Sequence, residues 1–546
     1  MEQLSGLNMN RKSFLQLTLG FAASSSLIGA CRHSEVAVKG EMIGANAALG
    51  HKLRDAGAVV PTEFHTHDVV IIGAGISGLS AARKLMNEGI TDFRVLELEA
   101  IPGGNSKSHQ NGLSAFPLGA HYIPIPNNDL TEYLAFLQDL QVITGFDANG
   151  LPVYNELFLC FEPEERLFIN GKWQEGIVPD FGVPESDKQQ IAAFFAMMKT
   201  FREANGKDGK QAFAIPVNNS SIEPEWRSLD TMTMSNWMQK QGFTSPFLQE
   251  YVNYCTRDDF GTKLTDISAW AAIHYFAARK GKAANAEQSD VLTWPEGNAF
   301  LVAGLLKSCH DKIRTQCLVT AITPHEQEIQ VVFFNASENR YESIQCKQCI
   351  IAIPQFIASR ILNDSDRQQR VKKEMHYAPW MVATMLTNKL DDKSGSPLCW
   401  DNVIHGSKSL GYVNATHQLT RAHVSQQNLS YYLPLTDKDP SEERKTAAEK
   451  SWQDWLELVL NELSPLHPDL KIKLKAFSVT VWGHAMIQPR PGYITGTTRT
   501  ELSQSIQQRI HFAHTDLCGI SIFEEGFYQG WNAANLVIDQ FNSTRA

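Results

Sequence analysis

The stretch Asp68-Val69-Val70-Ile71-Ile72-Gly73-Ala74-Gly75-Ile76-Ser77-Gly78-Leu79-Ser80-Ala81-Ala82-Arg83-Lys84-Leu85 says more about the architecture than any other part of this chain. Four β-branched residues in a row, Val69 to Ile72, suit a parallel strand covered on both faces. Gly73 then permits a tight turn. Gly75 has no Cβ, so a diphosphate can approach the backbone, and Gly78 lets the following helix lie close to the strand. The first turn of that helix, at Ile76, Ser77 and Gly78, offers backbone N–H groups and the positive end of the helix dipole to phosphate. A second strand, Phe93-Arg94-Val95-Leu96, ends at Glu97, which lies 97 − 78 = 19 residues past the last glycine. An acid at that spacing holds a ribose hydroxyl. A lone glycine pattern is weak, but strand, turn, helix and acid together favour a dinucleotide site over a glycine-rich turn beside a surface glutamate.

The chain has 546 residues, too many for one core, so two or more domains are expected. Hydrophobic residues at 43% and charged residues at 20% describe an ordinary globular protein. The net charge of −10 argues against a nucleic-acid partner, which needs a basic face, and is compatible with a cationic substrate. No internal repeat is visible, and beyond the N-terminus no apolar run is long enough to span a membrane. Cys346 and Cys349 form the only Cys-x-x-Cys among nine cysteines. They lack a second pair and run straight into an apolar strand, so they read as neighbours on that strand, and no metal site is expected.

The N-terminus reads as an address. Asn10-Arg11-Lys12-Ser13-Phe14-Leu15-Gln16 opens an apolar stretch that runs to Ala30, the layout of an export signal. It resembles a twin-arginine signal with Lys12 in place of the second arginine. Leu27-Ile28-Gly29-Ala30-Cys31 resembles a bacterial lipobox. The expected protein is therefore exported and periplasmic, touching the membrane only through a lipid on Cys31. Residues 1–31 form the signal, and residues 32–63 read as a tether with little apolar periodicity.

Past Glu97 comes Ala100-Ile101-Pro102-Gly103-Gly104-Asn105-Ser106. A second glycine pair six residues beyond the acid (103 − 97 = 6) does not belong to a plain nicotinamide fold. Pro117-Leu118-Gly119-Ala120-His121-Tyr122 follows. Near the end, His511-Phe512-Ala513-His514-Thr515-Asp516 leads to Phe523-Glu524-Glu525-Gly526-Phe527 and a helix rich in small residues. Together these segments resemble the flavin-containing amine oxidase superfamily, which includes monoamine and polyamine oxidases, protoporphyrinogen oxidases and phytoene desaturase relatives. The resemblance implies non-covalent FAD. It implies Gly103 and Gly104 at the diphosphate, with Asn105 where an arginine is usual, and Lys107 as a candidate replacement charge. It further implies Gly119, Ala120 and His121 beside the flavin ring, and the backbone of Val319 at the adenine. Asp516 would sit at the ribityl chain, with Thr515 replacing the usual glycine. A helix from about Glu525, with Gly526 and Phe527, would aim its N-terminus at the flavin N1–O2 edge, where reduction places negative charge.

The fold class expected is α/β: a Rossmann-like FAD-binding domain of residues 64–125, 292–360 and 500–546, interleaved with an α+β substrate domain of residues 126–291 and 361–499. Residues 186–205 carry helical spacing, with Ile191, Phe194, Phe195 and Met198 on one side. Asp439-Pro440-Ser441-Glu442 starts a helix. Asp258 and Asp259 are readable either as an attraction for an amine or as a capped turn. Residues 477–484 alternate like a strand, so Trp482 and His484 should share a face.

As the resemblance implies, the protein would be an FAD-dependent oxidoreductase oxidising a small-molecule amine, such as a polyamine, by hydride transfer to flavin N5. FAD supplies the acceptor, and the chain supplies position and electrostatics. His484, Trp482, Tyr493, His121 and His274 are the candidate catalytic residues, against packing in an aromatic core. Family members often place a lysine near N5 that assists reaction with oxygen. The corresponding strand here, Tyr377-Ala378-Pro379-Trp380-Met381-Val382-Ala383-Thr384, has none, and Lys389 falls too late. That favours a quinone or periplasmic carrier as electron acceptor. The rival readings are a desaturase or isomerase of an isoprenoid or tetrapyrrole, and a non-catalytic flavin-binding lipoprotein.

Overall fold

Val69 to Ile72 are fully or almost fully buried because they belong to the strand Glu63–Ile72, flanked on both sides by parallel partners. Val69 faces Phe93 of the strand Phe93–Leu96 on one side and Gln348 of Arg340–Ile351 on the other. A continuous apolar run is what a strand covered on both faces requires. This computed structural model describes residues 38–55, 57, 59–391, 395–421 and 424–545. The expected export signal and the expected lipobox with Cys31 lie outside the described residues. The described residues from Gly40 onward belong to one compact unit.

Two large sheets organise the chain. The first has seven strands, running Ile313–Arg314, Phe93–Leu96, Glu63–Ile72, Arg340–Ile351, Ile329–Asn335 and Cys317–Pro324, with Ile510–Phe512 also pairing in parallel with Arg340–Ile351. Its central strands come from sequence segments hundreds of residues apart. The helices Ile76–Asn87 and Phe523–Arg545 pack together beside it. Their approach is close: Ser80 Oγ donates to the Phe527 carbonyl at 2.7 Å, and a Cβ at Gly530 would meet the Ser77 carbonyl oxygen at 1.9 Å.

The second sheet has eight strands in the order Lys39–Ile43, Leu474–Ile487, Tyr377–Asn388, Gln426–Pro434, Tyr412–Asn414, Asp401–Ile404, Glu165–Ile169 and Lys172–Glu175. The helices Glu185–Glu203, Pro246–Phe260 and Ala269–Ala277 pack on one another, and the first buries Ile191, Phe194 and Met198. The multi-sheet α/β architecture is the class expected from the sequence.

One local expectation is corrected. Part of the supposed tether is ordered structure: Lys39–Ile43 is a strand, and Ala47–His51 is a helix capped by the Asn46 side chain, which accepts from the Leu49 N–H at 3.0 Å. Its few apolar residues are spaced for docking onto a preformed surface rather than for a helix or strand of their own. The helix expected to start at Asp439-Pro440 is present as Pro440–Glu449, and Trp452–Leu463 is a separate helix. Ser451 caps the second one through reciprocal bonds with Asp454.

Candidate active site

The glycine turn after Ile72 is shaped by close approach. Gly73 has φ +97°, and a Cβ there would lie 2.6 Å from the Ala352 carbonyl oxygen. A Cβ at Gly78 would lie 1.9 Å from the Gly73 carbonyl oxygen. Gly75 is different: a Cβ there would meet nothing within 4 Å. Gly75 also caps the helix Ile76–Asn87 and supplies no side chain to accept its first N–H groups. The second glycine pair closes on this turn. The Gly103 N–H donates to the Ala74 carbonyl at 2.8 Å, and a Cβ at Gly104 would touch Gly75 Cα at 3.4 Å.

Glu97 is buried beside both turns. Its Oε2 accepts the Ala74 N–H at 2.6 Å and its Oε1 the Glu99 N–H at 2.8 Å. Burial raises its pKa, and these two bonds pull the other way. Each oxygen keeps a lone pair for another donor. The strand Cys317–Pro324, which carries Val319, runs alongside: the Cys317 N–H donates to the Glu97 carbonyl at 2.8 Å. Lys107 is 5% exposed, with its ammonium 3.6 Å from Glu99 and 5.3 Å from the ring centroid of Trp482. An open backbone cradle, an uncapped helix N-terminus and a buried acid with spare acceptor sites fit the diphosphate and ribose of a dinucleotide.

A cavity of about 150 Å³ lies on the far side of Asn105 and Gly119. Its walls are aromatic: His121 and Tyr122, Trp380, Tyr432 and Trp482. The His121 and Tyr432 rings lie 4.6 Å apart at 34°. Tyr432 Oη donates to the Gly119 carbonyl at 3.1 Å, and Trp482 Nε1 to the Leu118 carbonyl at 2.6 Å, so two rings are fixed to one loop. Polar groups gather among Asp258, Asp259, Arg279 and Glu524. Arg279 pairs with Asp259 at 2.6 Å, and Tyr122 Oη donates to Asp258 Oδ2 at 3.2 Å.

The protonation states follow from burial. His121 is pushed down to about 4 by desolvation, so its ring is neutral near pH 7. Asp258 is pushed up to about 7, first by burial and then by the charge of Asp259, with Arg279 opposing. Glu524 is likewise raised to about 7 by burial. Among the described residues, the Asn298 Oδ1 and Trp380 Nε1 atoms of this cavity wall have no hydrogen-bond partner.

Of the residues singled out in the sequence, Asn105, Gly119, Ala120, His121, Asp258, Asp259 and Trp482 meet at this cavity. Three candidates do not. His484 stacks on Phe356 at 4.3 Å and stands edge-on to Tyr377. The expectation that it shares a face with Trp482 fails because the pairing slips. Trp380 faces Trp482 and Ala378 faces Met486, so one residue of Tyr377–Asn388 opposes three of Leu474–Ile487, and alternation breaks there. Tyr493 is buried on the other side, its Oη donating to the Asp516 carbonyl at 2.7 Å. His274 is a core residue of the helix Ala269–Ala277, with Nε2 2.9 Å from the Ala214 carbonyl.

Further details refine the site. The last helix starts at Phe523, two residues before the expected Glu525, so Ile522, Phe523 and Glu524 face the cavity. Gly526 packs near Ile76 instead, and Phe527 stacks on Phe136 at 5.5 Å. Asp516 is engaged by the protein. Its Oδ2 accepts the Gln355 N–H at 2.8 Å and the Tyr377 hydroxyl at 2.7 Å, and His514 lies 2.9 Å from Oδ1. Burial would raise this carboxyl; the charge and hydrogen bond of His514, with the bonds from Gln355 and Tyr377, hold it below its usual range. A carboxylate has about four acceptor sites, so one stays open to another donor. Asn105 spends its amide on the Ala485 carbonyl. Asp258 and Asp259 lie inside the helix Pro246–Phe260 rather than in a turn. The sequence reading did not single out Glu524, Arg279, Tyr432 or Trp380 as site residues. The one available signal was the acid pair Glu524-Glu525 opening an otherwise apolar helix.

Comparison with known proteins bears on the same regions. Residues 76–538 match the sequence profile of the flavin containing amine oxidoreductases. An L-amino acid oxidase, Bs29, of Bothriechis schlegelii is 21% identical over 415 residues, covering 75% of this chain and 76% of that protein. The oxidoreductase PigB of a Serratia strain is 22% identical over 530 residues, covering 88% of this chain and 76% of that protein. Among solved structures, a wild-type putrescine oxidase bound to putrescine superposes with a TM-score of 0.65 at 15% identity, over 87% of this chain and all of the other. Cyclohexylamine oxidase from Brevibacterium oxydans gives 0.63 at 16% identity, over 87% of this chain and all of the other.

Proposed function

The chain belongs to the flavin-containing amine oxidoreductase family and is an FAD-dependent oxidoreductase, and from that premise we propose that it oxidises a small amine carrying a second positive charge, such as a diamine. The observation that carries this reading is the charge balance of the cavity. Three carboxyl groups, Asp258, Asp259 and Glu524, face one guanidinium, and Arg279 is already paired with Asp259. That leaves Asp258 and Glu524 to hold a cation. A buried carboxylate is stable there only when such a charge arrives. Titrating near 7, either group also suits proton exchange with an ammonium at neutral pH.

The bound FAD, non-covalently held, supplies the two-electron acceptor for the carbon beside the reacting nitrogen. The chain's part is to hold and orient. Tyr432 and Trp482, each tied by a hydrogen bond to the loop at Leu118 and Gly119, give rigid walls for an aliphatic chain. The neutral His121 ring adds no repulsion toward a cation. The likeness to a putrescine oxidase solved with putrescine bound supports a diamine, and the net charge of −10 is of the favourable sign. On the strand Tyr377–Asn388 the cavity meets Trp380 and Val382, with Lys389 exposed beyond its end. That arrangement supports an electron acceptor other than oxygen.

The test is anaerobic titration of the purified protein with diamines and with monoamines of equal length, followed by flavin absorbance. Diamines should bleach the flavin at lower concentration. Preference for the monoamine, or bleaching by neither class, would overturn the proposal.

A further inference from the structure

We propose that residues 40–55 form the outer wall of the adenosine end of the FAD site and hold the cofactor in. This rests on the FAD reading of Glu97 and Val319.

The segment is fastened at both ends. At its start, the strand Lys39–Ile43 lies beside Leu474–Ile487. Gly40 fits there because it has no side chain: a Cβ would lie 2.0 Å from the Trp452 ring. Gly44 turns the chain away with φ +116°, a conformation that favours glycine. The Asn46 N–H then donates to both carboxylate oxygens of Glu99, at 2.9 and 3.1 Å. Glu99 is itself fixed by its own N–H on Glu97 Oε1 at 2.8 Å, so the segment is one residue removed from the ribose acid.

The apolar contacts point to the same place. Leu49, 6% exposed, clusters with Leu318 and Phe334, with Leu53 and Leu98 packed against them. Leu98 follows Glu97 in sequence, and Leu318 precedes Val319. The two residues read as contacting ribose and adenine thus each have a neighbour under this segment. Lys52 lies 4.6 Å over the Phe334 ring and adds a cation beside that wall. None of these contacts is needed to close the first sheet, whose strands pair without the segment.

The consequence is kinetic. FAD enters while the segment is undocked, and docking slows its escape. The experiment uses the FAD-loaded protein and two variants that undock opposite ends, Leu49→Ser and Gly40→Val. Limited trypsin cleavage at Lys52 and Arg54 reports docking, and recovery of flavin fluorescence on dilution reports cofactor release. Both variants should cut faster at these residues and release FAD roughly tenfold faster or more, with association no slower than the parent's. Leu49→Ile should behave like the parent. Faster cleavage with unchanged FAD release would overturn the proposal while leaving the FAD site intact. Purified parent protein without flavin would instead overturn the cofactor reading, and this inference with it.

Discussion

Replacing Asp258 by asparagine tests the charge logic of the cavity directly. The change keeps shape and one hydrogen-bond acceptor for Tyr122, whose hydroxyl lies 3.2 Å from Oδ2. It removes one of the two carboxyl groups not committed to Arg279. A charge-assisted hydrogen bond to an ammonium is worth about 1.5–3 kcal/mol. That corresponds to a loss of about tenfold to about 150-fold in affinity for a diamine. A monoamine of equal length, which places no charge there, should lose little. The pH dependence adds a second signature. Asp258 titrates near 7, raised by burial and by Asp259, so its anion predominates above that pH. The parent's advantage over Asp258→Asn should therefore be full near pH 8 and shrink as the pH falls toward 6, where the parent carboxyl is itself protonated. The assay is stopped-flow reduction of the bound flavin without oxygen, giving substrate affinity and limiting rate separately for each substrate. Equal losses for diamine and monoamine, or a parent-to-variant ratio that does not change with pH, would refute the reasoning.

Trp482→Phe removes the hydrogen bond to the Leu118 carbonyl and should slow flavin reduction several-fold, whereas His484→Ala, outside the cavity, should leave it unchanged; stopped-flow rates distinguish them. Glu97→Ala deletes a carboxylate that accepts two backbone N–H groups and is read as the ribose acceptor, so FAD affinity should fall about tenfold or more, measured by titrating apoprotein with FAD. Acid precipitation of the yellow protein should leave the colour in the supernatant, and a coloured pellet would show a covalent link.

Local signals in the sequence carried the first sheet far. Val69 to Ile72 read as a doubly covered strand because nothing else explains four β-branched residues before Gly73, and the structure has that strand. The glycines at 73 and 78 were legible because their requirement is steric and contained within one turn. The cavity was not legible in the same way. Asp258, Arg279, Tyr432 and Glu524 are spread along the chain and no spacing rule links them; two helices, the segment after a third and the strand Gln426–Pro434 bring them together. His484 shows a different limit. Alternation holds while the ladder is regular, and the extra residues opposite Pro379 end it without a sequence mark. The segment after Gly40 was missed because it has neither helical nor strand periodicity of its own, and its order comes from the surface it lies on.

The close contact of the helices Ile76–Asn87 and Phe523–Arg545 has a consequence for how the protein is made. The glycine turn emerges from the ribosome early, but the helix that packs against it, through Ser77, Ser80, Phe527 and Gly530, emerges hundreds of residues later. The strand Ile510–Phe512, which completes the sheet beside Arg340–Ile351, also comes late. A nascent chain therefore holds its first strand and turn unfinished through nearly all of translation, with apolar edges exposed to chaperones or to aggregation. Cofactor capture therefore waits for the helix Phe523–Arg545. A chain cut before Phe523 would be colourless however well its earlier elements formed, so the colour of the protein reports that this helix has docked.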